Sequence, residues 1–206
     1  MSPPGRPKGE CRSAQHEGTP GAMRPPGEEC RGVQRNGEPA GPAAPDATFA
    51  IRPACAADVG TVLRMIRALA EFEQLSHHCV ATEAELHAAL FGPRPAAEVL
   101  VAWEGATAAG FALFFHNFST FLGRRGLWLE DLWVEPAQRR RGCAQALLRA
   151  LARIARERDC GRFEWAVLDW NTAAIDFYRA LGATVLDDWR IVRVVGPALE
   201  RLAEPR

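Results

Sequence analysis

The chain has 206 residues, 25 Lys+Arg against 25 Asp+Glu, and 48% apolar residues. That length suits one domain, or one domain with a tail. Zero net charge excludes a nucleic-acid binder that relies on bulk charge, and it excludes a highly charged disordered chain.

The average hides a split. Residues 1–46 hold 9 of the 15 Pro and 8 of the 18 Gly, and they contain no Leu, Ile, Phe, Trp or Tyr. Such a segment buries too little apolar surface to offset its ordering entropy, so a disordered tail is expected. The folded domain is then 47–206. Phe49 to Arg52 alternates before Pro53 and reads as a strand. Val59, Leu63, Ile66, Leu69 and Ala70 recur at helical spacing, which predicts a helix over about 56–73. Thr82-Glu83-Ala84-Glu85 is a capping-box pattern opening a shorter helix to Phe91. Val99 to Trp103 and Ala109 to Asn117 form a predicted hairpin, and Trp128 to Val134 is a longer strand. A polar turn over 138–142 leads into a helix from Cys143 to about Arg158, with Leu147, Leu148 and Leu151 on one face. Phe163 to Leu168 is a strand. Asn171 to Leu181 is a helix with Gly182 at its C-terminal cap. Val185-Leu186 and Trp189 to Val195 read as two closing strands. The order predicts an α/β domain with a mixed, mostly antiparallel central sheet flanked by helices.

The N-terminus has no apolar run of signal-peptide type, and no stretch of 18 apolar residues occurs. A cytoplasmic protein with no membrane partner is the expectation. Six cysteines without C-x-x-C spacing fit reduced thiols better than zinc or disulfides. His77-His78 has no third ligand at a helpful spacing, so no metal is expected and the pair reads as a surface feature.

The densest chemistry is Glu135-Pro136-Ala137-Gln138-Arg139-Arg140-Arg141-Gly142-Cys143-Ala144. A helix N-terminus offers unpaired N–H groups and partial positive charge, which suit a pyrophosphate. Gly142 and the small Ala144 allow close backbone approach, and Arg139, Arg140 and Arg141 supply charge-assisted bonds. The same residues also suit a solvated basic turn. A nucleic-acid site fits less well in a neutral domain, and none is expected. A second stretch is Trp170-Asn171 through Phe177-Tyr178 to Leu181-Gly182-Ala183. Asn171 and Tyr178 lie seven residues apart, on nearly one helix face at about 100° per residue. The plain alternative is an amphipathic helix with Tyr178, the single tyrosine, as a half-wet core aromatic.

Arg139-x-x-Gly142-x-Ala144 resembles the acetyl-CoA pyrophosphate loop of the GCN5-related N-acetyltransferase (GNAT) superfamily. The Asn171, Phe177-Tyr178 and Leu181-Gly182-Ala183 spacing resembles a second motif of the same superfamily, in the same order. The resemblance covers roughly 48–195. It implies the GNAT fold, acetyl-CoA as co-substrate, and an acyltransferase that acetylates an amine by direct attack. Ile51-Arg52-Pro53-Ala54, Trp128 through Val134 and Trp189-Arg190 resemble the diamine acetyltransferases, of the spermidine/spermine N1-acetyltransferase type. That resemblance implies a di- or polyamine acceptor and a homodimer. By position it places Glu73, Glu130, Asp131 and Trp189 at the acceptor site, with Phe72 where that subfamily has Tyr. It implies cofactor contacts from Leu132, Trp133, Val134, Arg139 to Ala144 and Asn171. Glu130 is the expected base and Tyr178 the expected acid. Thialysine or another small amine, and a protein lysine or N-terminus, are alternative acceptors. A non-catalytic acyl-CoA-binding module is the rival class.

Carboxylates among aromatic walls suit an ammonium-bearing chain, and Phe72, Trp133, Asp187 and Asp188 add to that set. On a regular strand, however, adjacent Glu130 and Asp131 point to opposite faces, unless a bulge redirects one. Trp103, Phe114, Phe115 and Phe118 are expected as an aromatic surface for the second copy.

Overall fold

The computed structural model describes residues 49–205. The tail predicted over 1–46 lies outside the described residues.

Strand β1 (Ala50–Pro53) is followed by a 3-10 turn and helix α1 (Val59–Phe72). Arg52 holds buried Asp58 at 2.7 Å, and the Cys55 N–H donates to the same carboxylate at 2.8 Å. These bonds pin the start of α1 to the end of β1. Helix α2 (Glu83–Phe91) opens on the predicted capping box: Thr82 Oγ1 accepts from the Glu85 N–H, and Glu85 accepts from the Thr82 N–H at 2.9 Å.

The hairpin is β2 (Glu98–Glu104) and β3 (Thr107–Ser119), and β4 (Arg124–Val134) returns alongside β3 after a short turn. Helix α3 (Cys143–Glu157) crosses back to β5 (Phe163–Trp165), and α4 (Thr172–Ala180) follows. The sheet order is β1-β2-β3-β4-β5, antiparallel except for the β4–β5 pair. The parallel pair arises because α3 carries the chain back across the sheet.

Helices cover both faces, so central strands are apolar on both sides. In β2, Val99 and Val101 join Val62, Leu63, Met65 and Phe111 under α1 and α2. Leu100 and Ala102 join Phe114, Leu127, Leu147 and Leu151 under α3. Fully burying a side chain such as Phe111 contributes roughly 1.5–3 kcal/mol.

Three expectations are corrected. The strand predicted over 163–168 stops at Trp165, where its ladder with β4 ends at Leu129, beside the bulge residue Glu130. The closing strands over 185–186 and 189–195 do not form; that segment is irregular, with Leu186, Trp189, Ile191 and Val192 exposed. Their apolar alternation has no sheet edge to pair with, and alternation alone does not make a strand. A short helix α5 (Pro197–Ala203) follows instead, with proline in its first turn. The expected aromatic surface is mostly internal: Phe114 is buried, Trp103 is partly buried against Arg52, and Phe118 is exposed.

Candidate active site

Two features open the sheet at its centre. The β4–β5 ladder pairs Leu127 with Phe163 and Leu129 with Trp165, then ends. Beyond it, Glu130 to Val134 have β3 on one side and no strand on the other. The second feature is a bulge. Phe114 pairs with Leu129 and its neighbour Leu113 with Asp131, so Glu130 is the extra residue.

The bulge resets the alternation. Leu127 and Leu129 face α3, but Trp133, four residues after Leu129, packs among the α1 residues, while Leu132 and Val134 turn toward α3. Glu130 therefore shares the α1 face with Trp128, whose Nε1 donates to its carboxylate at 2.8 Å. Asp131, opposite Leu113, falls on that same face. The adjacent carboxylates that a regular strand would separate are brought together. Burial pushes the Asp131 carboxyl up to about 6, and the charges of Glu130 and Glu73 add to it. Glu73, at the C-terminal end of α1, is also raised by burial. Three of the four expected acceptor residues thus form one acidic group.

The fourth does not join. Trp189 is three-quarters exposed on the irregular segment, and Asp187 and Asp188 are exposed beside it. The aromatic wall is built instead from Phe72, Trp133 and Trp170. Phe72 lies 5.9 Å from Trp133 and 5.8 Å from Trp170, centroid to centroid. Trp170 was not foreseen as a wall residue; the signal was its place just before the α4 cap, where the chain crosses the open end of the sheet.

In the turn over Arg139 to Ala144 the three arginines are held differently. Arg140 and Gly142 are both left-handed, at φ 60° and 85°. Gly142 is the N-cap of α3 and no side chain caps the helix. The first helical bond there is Ala146 N–H to Gly142 O, so the amides of Cys143, Ala144 and Gln145 precede it. The space beside Gly142 is open. Arginines at the positive end of a helix dipole are unfavourable without an anion, so the turn suits a polyphosphate. Arg141, however, is held by a fork onto Glu104 and a bond to Gln138. Arg139 turns the other way: its guanidinium sits 4.7 Å over Trp133 and 5.1 Å over Phe72, and its Nε donates to Val134 O at 3.1 Å. Only Arg140 has no ion pair or hydrogen bond with the described residues.

The open side of β4 carries two amides. The Glu135 N–H donates to Ala109 O on β3, and the Trp133 carbonyl presses on Gly110, where a Cβ would lie 2.5 Å from it. By alternation the Leu132 and Val134 N–H groups face the gap, whereas the Trp133 peptide faces β3. On the α3 face, Tyr178 packs against the same core cluster as Leu132 and Val134, its ring 5.1 Å from the Trp165 ring. Burial raises its hydroxyl above the usual value, so it carries its proton at neutral pH. Asn171 caps α4 by accepting the Ala174 N–H at 3.3 Å. Cys143 is buried and its thiol is pushed up to about 11 by burial, which makes it a packing residue.

The arrangement offers an uncapped helix start at α3, a gap beside β4, a protonated phenol on one face and carboxylates on the other. Residues 63–183 match the family described as Acetyltransferase (GNAT) family. The chain belongs to that family. It is an acyltransferase, and acetyl transfer to a small amine is its reaction class. Thialysine N-epsilon-acetyltransferase from Sus scrofa is 38% identical over 168 residues, covering 76% of this chain and 98% of the relative. An L-ornithine N5-acetyltransferase from Arabidopsis thaliana is 32% identical over 197 residues, covering 74% of this chain and 86% of the relative. Among solved structures, an integron cassette protein from V. cholerae superposes with a TM-score of 0.64 at 24% identity, covering 78% of this chain and all of that one. A separate cavity of about 630 Å³, lined by Phe91, Glu98, His116 and Arg158 among others, holds no residue of the α3 turn or of the Glu73, Glu130 and Asp131 group. Among the described residues no helix is long and apolar enough to cross a membrane.

Proposed function

We propose that the protein transfers the acetyl group of acetyl-CoA to the side-chain amine of a small amino-acid-like acceptor of the thialysine or ornithine kind. The relatives' names support this acceptor over the polyamine that the diamine-acetyltransferase resemblance implied. The observation that carries the reading is the bulge at Glu130, which sets Glu130 and Asp131 on one face beside a strand gap. In this account the amides of Cys143 to Gln145, with Arg140, hold the pyrophosphate, and the Asn171 cap holds the start of α4 beside the cofactor.

The bound thioester supplies an activated acyl carbon. The Leu132 and Val134 N–H groups polarise its carbonyl and hold the oxyanion. Glu73 and Glu130 attract the acceptor ammonium. An alkylammonium near pKa 10.4 must lose a proton before its nitrogen attacks. The base role expected of Glu130 belongs here to the Glu130–Asp131 pair, with Asp131 as the member held near neutrality. The N–C bond forms, the C–S bond breaks, and Tyr178 gives its proton to the departing thiolate. A homodimer in the cytoplasm completes the proposal, with the exposed apolar row at Leu186, Trp189, Ile191 and Val192 as the surface that a second copy covers.

The test is a panel of acceptors read by initial rate of CoA thiol release: thialysine, ornithine, spermidine and a lysine peptide. The proposal expects kcat/KM highest for thialysine or ornithine. A peptide preference contradicts it.

A further inference from the structure

Arg139 occupies a place that the proposed chemistry gives to the substrate. A cation within about 6 Å of an aromatic face is the arrangement by which aromatic walls recognise ammonium ligands. The Phe72 and Trp133 rings stand beside Glu73 and on the face of Asp131, where the acceptor ammonium would arrive. Yet the cation over both rings is the chain's own guanidinium, at 5.1 and 4.7 Å. It is fixed there by one bond to the Val134 carbonyl. Among the described residues it has no carboxylate partner.

Its neighbours differ. Arg141 is already neutralised by Glu104, and Arg140 makes no contact that it would have to give up. Arg139 alone has something to exchange. A polyphosphate at the α3 turn offers it bonds in which both partners are charged, which are stronger than one bond to a neutral carbonyl and a ring contact.

Resting on the functional reading above, we infer that Arg139 closes the aromatic part of the amine site in the free enzyme, and that the cofactor's phosphates draw it off. Arg139 is thus a positioning residue that couples the two sites. The coupling is reciprocal by thermodynamic necessity: CoA tightens amine binding by the same factor as the amine tightens CoA binding. A displaced cation–π contact corresponds to roughly 3- to 30-fold.

The test is calorimetric titration of thialysine into the full chain, with and without saturating CoA, which binds without reacting. The wild-type ratio of affinities falls in that range. Arg139→Ala removes the guanidinium, and Arg139→Gln keeps a polar side chain without the charge. Both raise the affinity of the CoA-free protein for thialysine and bring the ratio close to one. If a variant no longer binds CoA, the rise in CoA-free affinity still decides. Unchanged or weaker CoA-free affinity in both variants, with the amine still bound, overturns the Arg139 coupling and leaves the functional reading intact. Absence of thialysine binding in either state, while CoA binds, overturns both.

Discussion

Asp131→Asn separates stability from activity in one substitution. Asp131 is half-buried beside Glu130 and Glu73, and its carboxyl is raised from 3.8 to about 6. A carboxyl raised on folding is protonated in both states below pH 4, so it costs nothing there. Between pH 4 and 6 the unfolded chain ionises first and native stability falls. Above 6 both states are ionised and the folded state carries the whole penalty, at most about 3 kcal/mol on a scale of about 1.36 kcal/mol per pH unit. Asparagine keeps the shape and drops the charge. The variant should therefore be about 1–3 kcal/mol more stable than wild type at pH 7.5 and indistinguishable near pH 4. For a domain of this size that is roughly 2–10 °C in Tm. Paired urea or thermal melts across pH 4–8 measure it. Turnover by thiol release should fall at the same time, and the wild-type kcat/KM should decline as pH drops through about 6. Equal stability of the two proteins at pH 7.5, or a gain that is the same at pH 4, refutes the reasoning.

The remaining predictions concern the other half of the site. Tyr178→Phe should cut kcat by roughly 10²–10⁴-fold, the usual cost of losing a general acid, with acetyl-CoA affinity little changed; near-wild-type kcat removes Tyr178 from the mechanism. Gly142→Ala adds a Cβ in open space but forces a left-handed φ of 85°, at about 1–2 kcal/mol. Its Tm should drop by roughly 2–8 °C, with a raised KM for acetyl-CoA. An unchanged Tm shows that the turn relaxes without strain.

Much of the fold was legible because its signals are local. The Thr82–Glu85 box, the leucine face of α3 and the Gly182 stop each depend on a few neighbouring residues. The lone Tyr178 and the Arg139-to-Ala144 turn stand out in the sequence for the same reason. What failed depends on partners far along the chain. The apolar alternation over 189–195 reads as a strand, but strand formation needs an edge to pair with, and β5 is only Phe163–Trp165. The placement of Trp189 failed with it. The bulge at Glu130 is a mismatch between β3 and β4, so the β4 sequence allowed it without requiring it. The posture of Arg139 follows from where α1 ends, which fixes Phe72 near Trp133; a run of three arginines does not show which will face a ring.

The most direct test of the central claim is the stoichiometry of transfer in the full chain. Acetylated thialysine, quantified by mass spectrometry, is compared with CoA thiol released from acetyl-CoA. The account predicts one acetyl-amine per thiol, with thiol release strictly dependent on the amine. Thiol release at the same rate without the amine, or acetyl-CoA binding with no acetylated product from any small amine, contradicts it.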